Sequence, residues 1–406
     1  MKDFYSSILH PSPFTLHPSL PGFQQWSFLV GVVGLVLCAI GAVFSPAQFF
    51  HSYLLAYVFW TSLALGCLAV VMIHSLSGGA WGVVIRRVLE SATRTLPLLA
   101  LLFVPLIFGL PHLYVWARPE VVAGDVLLQH KEAYLNVPFF LLRTVCYFAA
   151  WIGVAYFLNK WSLEQDRGAD PHLERRVRLL SGPGLALYGL AVTFASIDWV
   201  MSLEPHWYST IYGAMLMVGQ GLTAFAFAIV MAAVLADRPP LSQVISPAHF
   251  HDLGKLLLAF VMLWAYFAFS QYLIIWSGNL AEEVPWYLHR LQGGWQWVGL
   301  LLILFHFVLP FFLLLSRDLK RHVRLLAVVA GAILFLRFVD LFWLIVPAFH
   351  PTGLRIHWMD IVAPIGVGGI WLAVFVWQLG ARPLLPLHDP SLQETIEYGR
   401  DKLAHR

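Results

Sequence analysis

Several ionisable residues stand within or beside long apolar segments of this 406-residue sequence. A charged side chain near the middle of a membrane costs roughly 2.5–3.5 kcal/mol, so each such residue is a candidate for function. The candidates toward one end of the apolar segments are Asp198, His206, Arg337, Asp340, Asp360, His51, Tyr53, Tyr212, Arg143 and His357. Those at mid-depth or toward the opposite end are His74, Glu90, Gln220, Thr223 and His306.

The first group suits proton-coupled chemistry on a quinol. A quinol headgroup has two hydroxyls that lose protons as its electrons leave. A histidine–carboxylate pair can accept and pass on those protons, because burial and neighbouring charges tune both groups toward neutral pH. Aromatic and small residues would line the slot for the flat ring. The second group predicts an inner path for protons, although scattered polar residues also bond helix to helix.

Structural roles compete with this interpretation. Arg337 and Asp340 are three residues apart on one helix and can simply neutralise each other. His357 and Asp360 have the same spacing and can form a cap at a helix start. Tyrosine and tryptophan residues at helix ends are typical of anchors at the membrane interface. These alternatives stay open at the level of the sequence.

Several kinds of redox or metal site are disfavoured. No lysine lies mid-membrane, which argues against a retinal Schiff base, and the three cysteines lack CxxC spacing. A b-type haem needs facing histidines on two helices, and the two at depth, His74 and His306, lack partners at matching levels. Nucleotide-binding and HExxH motifs do not occur. We therefore predict no metal, no covalently bound cofactor and no redox centre in this chain.

The elements that position these residues follow from the composition. Hydrophobic residues make up 59% of the chain and charged residues 12%, whereas a soluble domain is about a quarter charged. The apolar blocks have roughly the 20 residues that cross the hydrocarbon as a helix, in which each backbone group bonds within its own segment. We predict an all-α polytopic integral membrane protein with about ten transmembrane helices. They cover residues 26–44, 49–76, 96–108, 137–158, 183–201, 210–235, 256–276, 297–315, 323–346 and 361–379, with residues 83–95 leading into the third.

Orientation follows from the basic residues. Of the 25 Lys and Arg residues, 19 fall on one side of the predicted helices and 4 on the other. Cytoplasmic segments are enriched in Lys and Arg, so both termini and the tail 380–406 are predicted to be cytoplasmic. The first group of candidates then lies toward the outer face. The net charge of +3 reflects this topology and gives no reason to expect nucleic acid as a partner.

An internal repeat is suggested by two pairs of segments. Helix 2 begins with HSYLLAY at 51–57 and helix 6 with HWYSTIY at 206–212. Asp198 lies seven residues before Pro205, and Asp340 lies seven before Pro347. These similarities predict two four-helix bundles, helices 2–5 and helices 6–9, with helices 1 and 10 peripheral. Duplicated membrane folds often place sites where the halves meet.

Three long motifs carry a resemblance to a known family. They are SIDWVMSLEPHWYSTIYG at 196–213, SQYLIIWSGNLAEE at 270–283 with YLHR at 287–290, and HWMDIVAP at 357–364. The chain resembles the ActF family of membrane subunits of bacterial alternative complex III, which is similar to ActC and to NrfD and polysulfide-reductase membrane subunits. The resemblance implies a multi-pass protein of the bacterial inner membrane, in respiratory or photosynthetic electron transport.

The resemblance also implies partners and a substrate class. The complex oxidises menaquinol or another quinol and passes electrons to periplasmic iron–sulfur and multihaem cytochrome c subunits, so haem c and the clusters are expected in the partners. The motif expected in the ActC-like sister subunit is Pro-Gly-Trp-His, where this chain has EPHW at 204–207. This difference leaves open whether quinol binds to this chain or only to the sister subunit. We predict a role in quinol binding, proton translocation or both. A proton-coupled secondary transporter and a purely structural membrane anchor are the alternatives.

Overall fold

The computed structural model describes residues 19–168, 170–386 and 388–404. Helices dominate these ranges, which contain no β-strand, and this confirms the all-α prediction. Lys2 and residues 405–406 of the predicted tail lie outside the described residues. Ten helices in the described ranges are long and apolar enough to cross a membrane. We number them α1 to α10: Gly22–Phe44, Pro46–Ser77, Arg86–Phe108, Val137–Gln165, Pro171–Leu203, Tyr212–Leu235, Pro247–Gly278, Trp295–Leu315, Val323–Ala348 and Met359–Gly380.

Each predicted span overlaps one of these helices, but several helices are longer. The extra turns of α5 and α7 are polar and precede the apolar run, so hydropathy does not reveal them. Helix α3 begins at Arg86, as the lead-in segment suggested, and it is broken near Thr95 and Phe103. Pro97 and Pro105 follow these breaks, because proline lacks the N–H that would continue the helical ladder.

Eight of the ten helices form the predicted pair of four-helix bundles. Helices α2, α3, α4 and α5 contact one another in a closed ring, and so do α6, α7, α8 and α9. The two rings meet where α2 packs along α6. Helix α10 packs against α2, and α1 lies against α10. The first bundle is thus covered on one side by the two remaining helices.

Two close helix crossings depend on glycine. At Gly66 of α2, an added Cβ would lie 2.0 Å from the carbonyl oxygen of Gln220 on α6. At Gly34 of α1, it would lie 2.8 Å from the Cα of Gly366 on α10. Small residues let helix backbones approach closely in membranes, where van der Waals packing replaces the hydrophobic effect. Glycine at these positions therefore fixes how the two bundles and the peripheral pair dock.

The described part of the C-terminal segment folds back onto the helix ends instead of extending away from them. Arg382 donates to Asn159 Oδ1 on α4 at 2.8 Å, and Asp389 forms an ion pair with Arg86 at the start of α3. A further helix, α11 (Ser391–Ala404), then contacts the start of α7. The segment thereby joins the ends of both bundles on the predicted inner face.

Candidate functional site

Asp340 is held in the core of the second bundle by groups from two helices. Arg337, one turn earlier on α9, forms an ion pair with Asp340 Oδ2. The indole N–H of Trp264 on α7 donates to the same oxygen at 3.3 Å. Gly219 of α6 makes room for the arginine, since an added Cβ there would lie 2.2 Å from its Nη2. Both contacts use Oδ2, so Asp340 Oδ1 has no hydrogen-bond partner among the described residues.

A cavity of about 860 Å³ lies between α7 and α8, and Asp340 is on its wall. Most of its lining is aromatic or aliphatic. Tyr266, Phe269 and Ile303 line it and are also exposed on the outer surface of the bundle, so the cavity opens sideways between the two helices. In a membrane this opening faces the lipid. A ligand could therefore enter from the bilayer and bring a polar group to Asp340.

The remaining polar lining comes mainly from one short segment. Tyr287 and Arg290 belong to the helix Val284–Arg290, which follows α7, while Tyr272 lies on α7 itself. Within the described ranges neither tyrosine hydroxyl has a hydrogen-bond partner, and burial raises the pKa of Tyr287 above its ordinary value. Arg290 is fully buried and saturated: it pairs with Glu204 at 2.9 Å and donates to backbone carbonyls of α9. Arg290 thus fixes the segment, and the tyrosines supply free hydroxyls.

His306 lies behind Trp264 in the same bundle. Its ring meets the indole edge to face at 4.4 Å between centroids, and it is fully buried. Neither ring nitrogen has a partner in the part of the chain that the structure describes. His306 stands in a π-helical stretch, Leu302–Val308, just before Pro310. A π turn spans one residue more than an α turn. The backbone N–H of the residue after Pro310 can therefore make the helical hydrogen bond that the proline, which has no N–H, cannot make.

Asp198, the counterpart of Asp340 in the sequence repeat, has a different environment. It is fully buried, and Arg143 of α4 binds both of its oxygens at 2.8 Å. Tyr147 donates to it at 2.7 Å, and the arginine also stacks over the ring of Tyr134 at 3.8 Å. Asp198 does not line the cavity that contains Asp340. Its surroundings are those of a satisfied structural ion pair.

His206 is exposed in the connection between α5 and α6. Its Nε2 lies 2.7 Å from Asp125 Oδ2 in the loop before α4. The backbone N–H of Leu128 and the His206 ring hold the pKa of Asp125 below its ordinary value. This pair ties two surface loops together and does not reach Asp198 or Asp340.

Asp360 caps the start of α10 and links it to α2. It accepts from the backbone N–H of His357 at 2.8 Å, from Gln48 at 3.1 Å and from the hydroxyl of Ser52. Carboxylates at this position satisfy backbone donors that the helix leaves open. The capping interpretation of the His357–Asp360 spacing thus describes the observed contacts.

The three other outer candidates make packing contacts. His51 stacks on Phe349 at 3.7 Å, and Tyr53 donates to the carbonyl of Leu102 at 2.8 Å. Tyr212 is buried at the start of α6 and meets Trp207 edge to face. The structure therefore distributes the predicted outer group over several separate places, and of this group only Asp340, paired with Arg337, lines the cavity between α7 and α8.

The inner candidates are likewise dispersed. Glu90 accepts from Arg87 at 2.7 Å and from Arg86 at 2.9 Å. Each of the other three in the first bundle and α6 has a protein partner: His74 with Gly79 O, Gln220 with Tyr188, and Thr223 with Gly219 O. They do not form a continuous file. Gln220 and Thr223 lie on α6 and His306 on α8 of the second bundle, whereas His74 and Glu90 belong to the first.

No family model matches the chain, and neither does any curated protein. The resemblance to the ActF family consequently stays a prediction.

Sequence reasoning did not identify the residues that shape the cavity. Trp264, Tyr287 and Arg290 were absent from the candidates, although the last two lie in the YLHR stretch that carries the resemblance. The pairing of Arg143 with Asp198 has no signal in the sequence either, because 55 residues separate them.

Proposed function

We propose that this chain is a membrane subunit of a quinol:cytochrome c oxidoreductase complex, or one with another periplasmic acceptor. In this proposal it binds a quinol in the cavity between α7 and α8. One observation carries the proposal: Asp340, a buried carboxylate with one unpaired oxygen, lines a cavity that opens toward lipid. The ActF resemblance supplies the complex and its partners, and the cavity supplies the ligand site.

The arrangement suits proton acceptance by Asp340. A quinol hydroxyl next to Oδ1 would give its proton to the carboxylate, the second hydroxyl would release its proton to water by way of a tyrosine hydroxyl, and both electrons would pass to a redox centre of a partner subunit, leaving the quinone. Arg337 favours the charged carboxylate before the transfer, and the Trp264 indole fixes its orientation. The hydroxyls of Tyr272 and Tyr287 are available for the ring's second oxygen. From Asp340 the proton has a next acceptor within the bundle, the unpartnered ring of His306.

The shape of the cavity favours a quinol over a water-soluble substrate. Its volume is in the range of about 300–1,000 Å³ that small-molecule sites occupy. The sideways opening lets an isoprenoid tail remain in lipid while the headgroup enters. A transporter for a polar solute would require access from the two aqueous faces, whereas this cavity is lined by apolar residues on the lipid side. A purely structural anchor would have no use for unpaired polar atoms beside a cavity.

Blocking the cavity tests ligand binding. Ala265 lines the cavity, and Ala259 of the same helix is exposed outside it, so tryptophan at Ala259 is the matched control. In the purified complex, Ala265→Trp should weaken binding of a menaquinone analogue more than tenfold, measured by quenching of tryptophan fluorescence. Ala259→Trp should bind as the wild type does. Unchanged binding in Ala265→Trp would remove the site from this cavity.

Neutralising the carboxylate tests the chemistry. Asp340→Asn preserves shape and removes the proton acceptor, so quinol turnover per assembled complex should fall about 10²–10⁴-fold. Asp198→Asn makes the same change in the other bundle and should lower the yield of complex but not its specific turnover. Equal turnover in Asp340→Asn and wild type would exclude Asp340 as the base. The transporter alternative would be favoured if the purified protein lacked c-haem and the reconstituted chain took up solute. The structural-anchor alternative would be favoured if the substitutions impaired only assembly of the complex.

A further inference from the structure

A group of basic residues gathers at the predicted inner ends of α7, α8 and α9. A short helix, Arg317–Arg321, connects α8 to α9 and contacts the start of α7. We call the following residues the basic cluster: Lys255, Arg317, Lys320, Arg321 and Arg324. The cluster shares no residue with the cavity that contains Asp340.

Lys320 is the centre of this cluster. Its side chain is only 6% exposed, and its stem packs on Gly254, where an added Cβ would lie 2.7 Å from Lys320 Cγ. No acidic group of the described residues lies within ion-pair distance of Lys320. Burial, with Lys255 and Arg317 nearby, lowers the pKa of its amino group. The stem of Lys320 is therefore buried, and its ammonium is held next to other cations.

The rest of the cluster is also short of counter-charge. Lys255 pairs with Asp252 at 2.9 Å, but Arg317, Arg321 and Arg324 have no ion pair within the described ranges. The opposite holds for Arg86 and Arg87 at the inner end of the first bundle, which are matched by carboxylates. Neighbouring positive charges repel one another unless an anion lies between them. An anion from outside the chain would supply the missing pairing.

Apolar residues on the lipid side continue from the cluster along the two helices. Phe312 and Leu315 end α8, Leu325 and Val328 begin α9, and all four are exposed. The surface is thus positive at the level of the helix ends and apolar immediately beyond it. A phospholipid has the same division between its phosphate and its acyl chains.

We propose that the basic cluster binds the headgroup phosphate of an anionic phospholipid whose acyl chains lie along α8 and α9. Arginine presents a planar set of donors that matches phosphate, and lysine supplies a point charge. Basic pockets between transmembrane helices are suited to such headgroups, and each basic residue near the surface contributes roughly a fivefold gain in affinity. The site is independent of the proposed quinol chemistry.

Lipid binding to the full chain in detergent micelles tests the proposal, with phosphatidylglycerol as the probe and retained lipid counted by native mass spectrometry. Arg321→Gln/Arg324→Gln removes two charges on partly or fully exposed side chains and should lower affinity about 25-fold. The control Arg175→Gln/Arg176→Gln removes two exposed arginines at the start of α5 and should change affinity less than twofold. Lys320→Met keeps an apolar side chain packed on Gly254 and removes the charge, so it should also weaken lipid binding. The free energy of unfolding of the lipid-free protein should not fall.

Two further arms identify the source of the phosphate. Phosphatidylcholine should bind much more weakly than phosphatidylglycerol, and inorganic phosphate at the same concentration should not displace the lipid. Equal binding of both lipids, full competition by inorganic phosphate, or unchanged affinity in Arg321→Gln/Arg324→Gln would each overturn the proposal.

Discussion

Removing the guanidinium of Arg143 leaves the carboxylate of Asp198 buried, with Tyr147 as its only side-chain donor among the described residues. The pair is enclosed between α4 and α5, where Asp198 has no exposed surface and both of its oxygens accept at 2.8 Å. Loss of one partner of a buried ion pair costs about 3–5 kcal/mol, because the remaining charge is uncompensated. We expect Arg143→Met to lower the free energy of unfolding by that amount.

The matched variants separate the pair from its surroundings. Tyr147→Phe removes one hydrogen bond to a charged group and should cost about 1.5–3 kcal/mol. Arg143→Met/Asp198→Leu removes both charges, and such a replacement is often close to neutral or stabilising. The double variant should therefore be more stable than Arg143→Met alone. This non-additivity is the signature of a coupled pair.

Unfolding titrations in mixed micelles, followed by tryptophan fluorescence, give the required free energies. A loss below about 1 kcal/mol for Arg143→Met would show that the carboxylate is hydrated or already protonated, and would refute the assignment of a dry ion pair. If the changes in the free energy of unfolding for Arg143→Met and Asp198→Leu were strictly additive, the dry ion pair would also be refuted. Binding of the quinone analogue should survive in every folded variant, because the cavity lies in the other bundle.

Three further outcomes follow from the packing and charges. Gly66→Val places a side chain against the α6 backbone and should destabilise by at least about 1–3 kcal/mol in the same titration, whereas Gly331→Val, with open space around it, should be nearly neutral. Burial lowers the pKa of His350 in the folded protein below its value in the unfolded chain. The neutral imidazole therefore contributes to the free energy of unfolding above the unfolded pKa, and this contribution is lost as pH falls from about 7. His350→Gln should flatten the pH dependence of the free energy of unfolding between pH 7.5 and 5. Asp389→Ala breaks the pair with Arg86 and should speed proteolytic cleavage of the C-terminal segment, and equal cleavage rates would contradict the observed docking.

The spans could be predicted because the length of an apolar run and the thickness of a bilayer are matched physically. Helix boundaries were predicted less well where a helix continues beyond the lipid. The first turns of α5 and α7 carry charged and polar residues, from Pro171 and Pro247 respectively, and hydropathy alone reads such turns as loops. The C-terminal segment has the composition of a solvated tail, but Arg382 and Asp389 fasten it to the helix ends. Those contacts depend on residues more than 200 positions away.

The candidate residues show where sequence reasoning stops. Depth in the membrane could be estimated from position along each span, and this placed Asp198, Asp340 and Asp360 on the same side. What each carboxylate faces depends on how neighbouring helices rotate and separate. Asp360 satisfies its own helix start, Asp198 meets an arginine across the bundle, and Asp340 faces a cavity. Spacing along one helix revealed only the Arg337–Asp340 pair.

The contrast between the two bundles explains why Asp340 keeps an unpaired oxygen and Asp198 does not. In the first bundle the arginine comes from the neighbouring helix, so Arg143 fills the space between α4 and α5 and occupies both oxygens of Asp198. In the second bundle α8 carries no lysine or arginine, and the cation comes from α9 itself, one turn before Asp340. Arg337 is then accommodated against Gly219 of α6, away from α8. No arginine of α8 occupies the second oxygen of Asp340, which therefore stays available to a ligand.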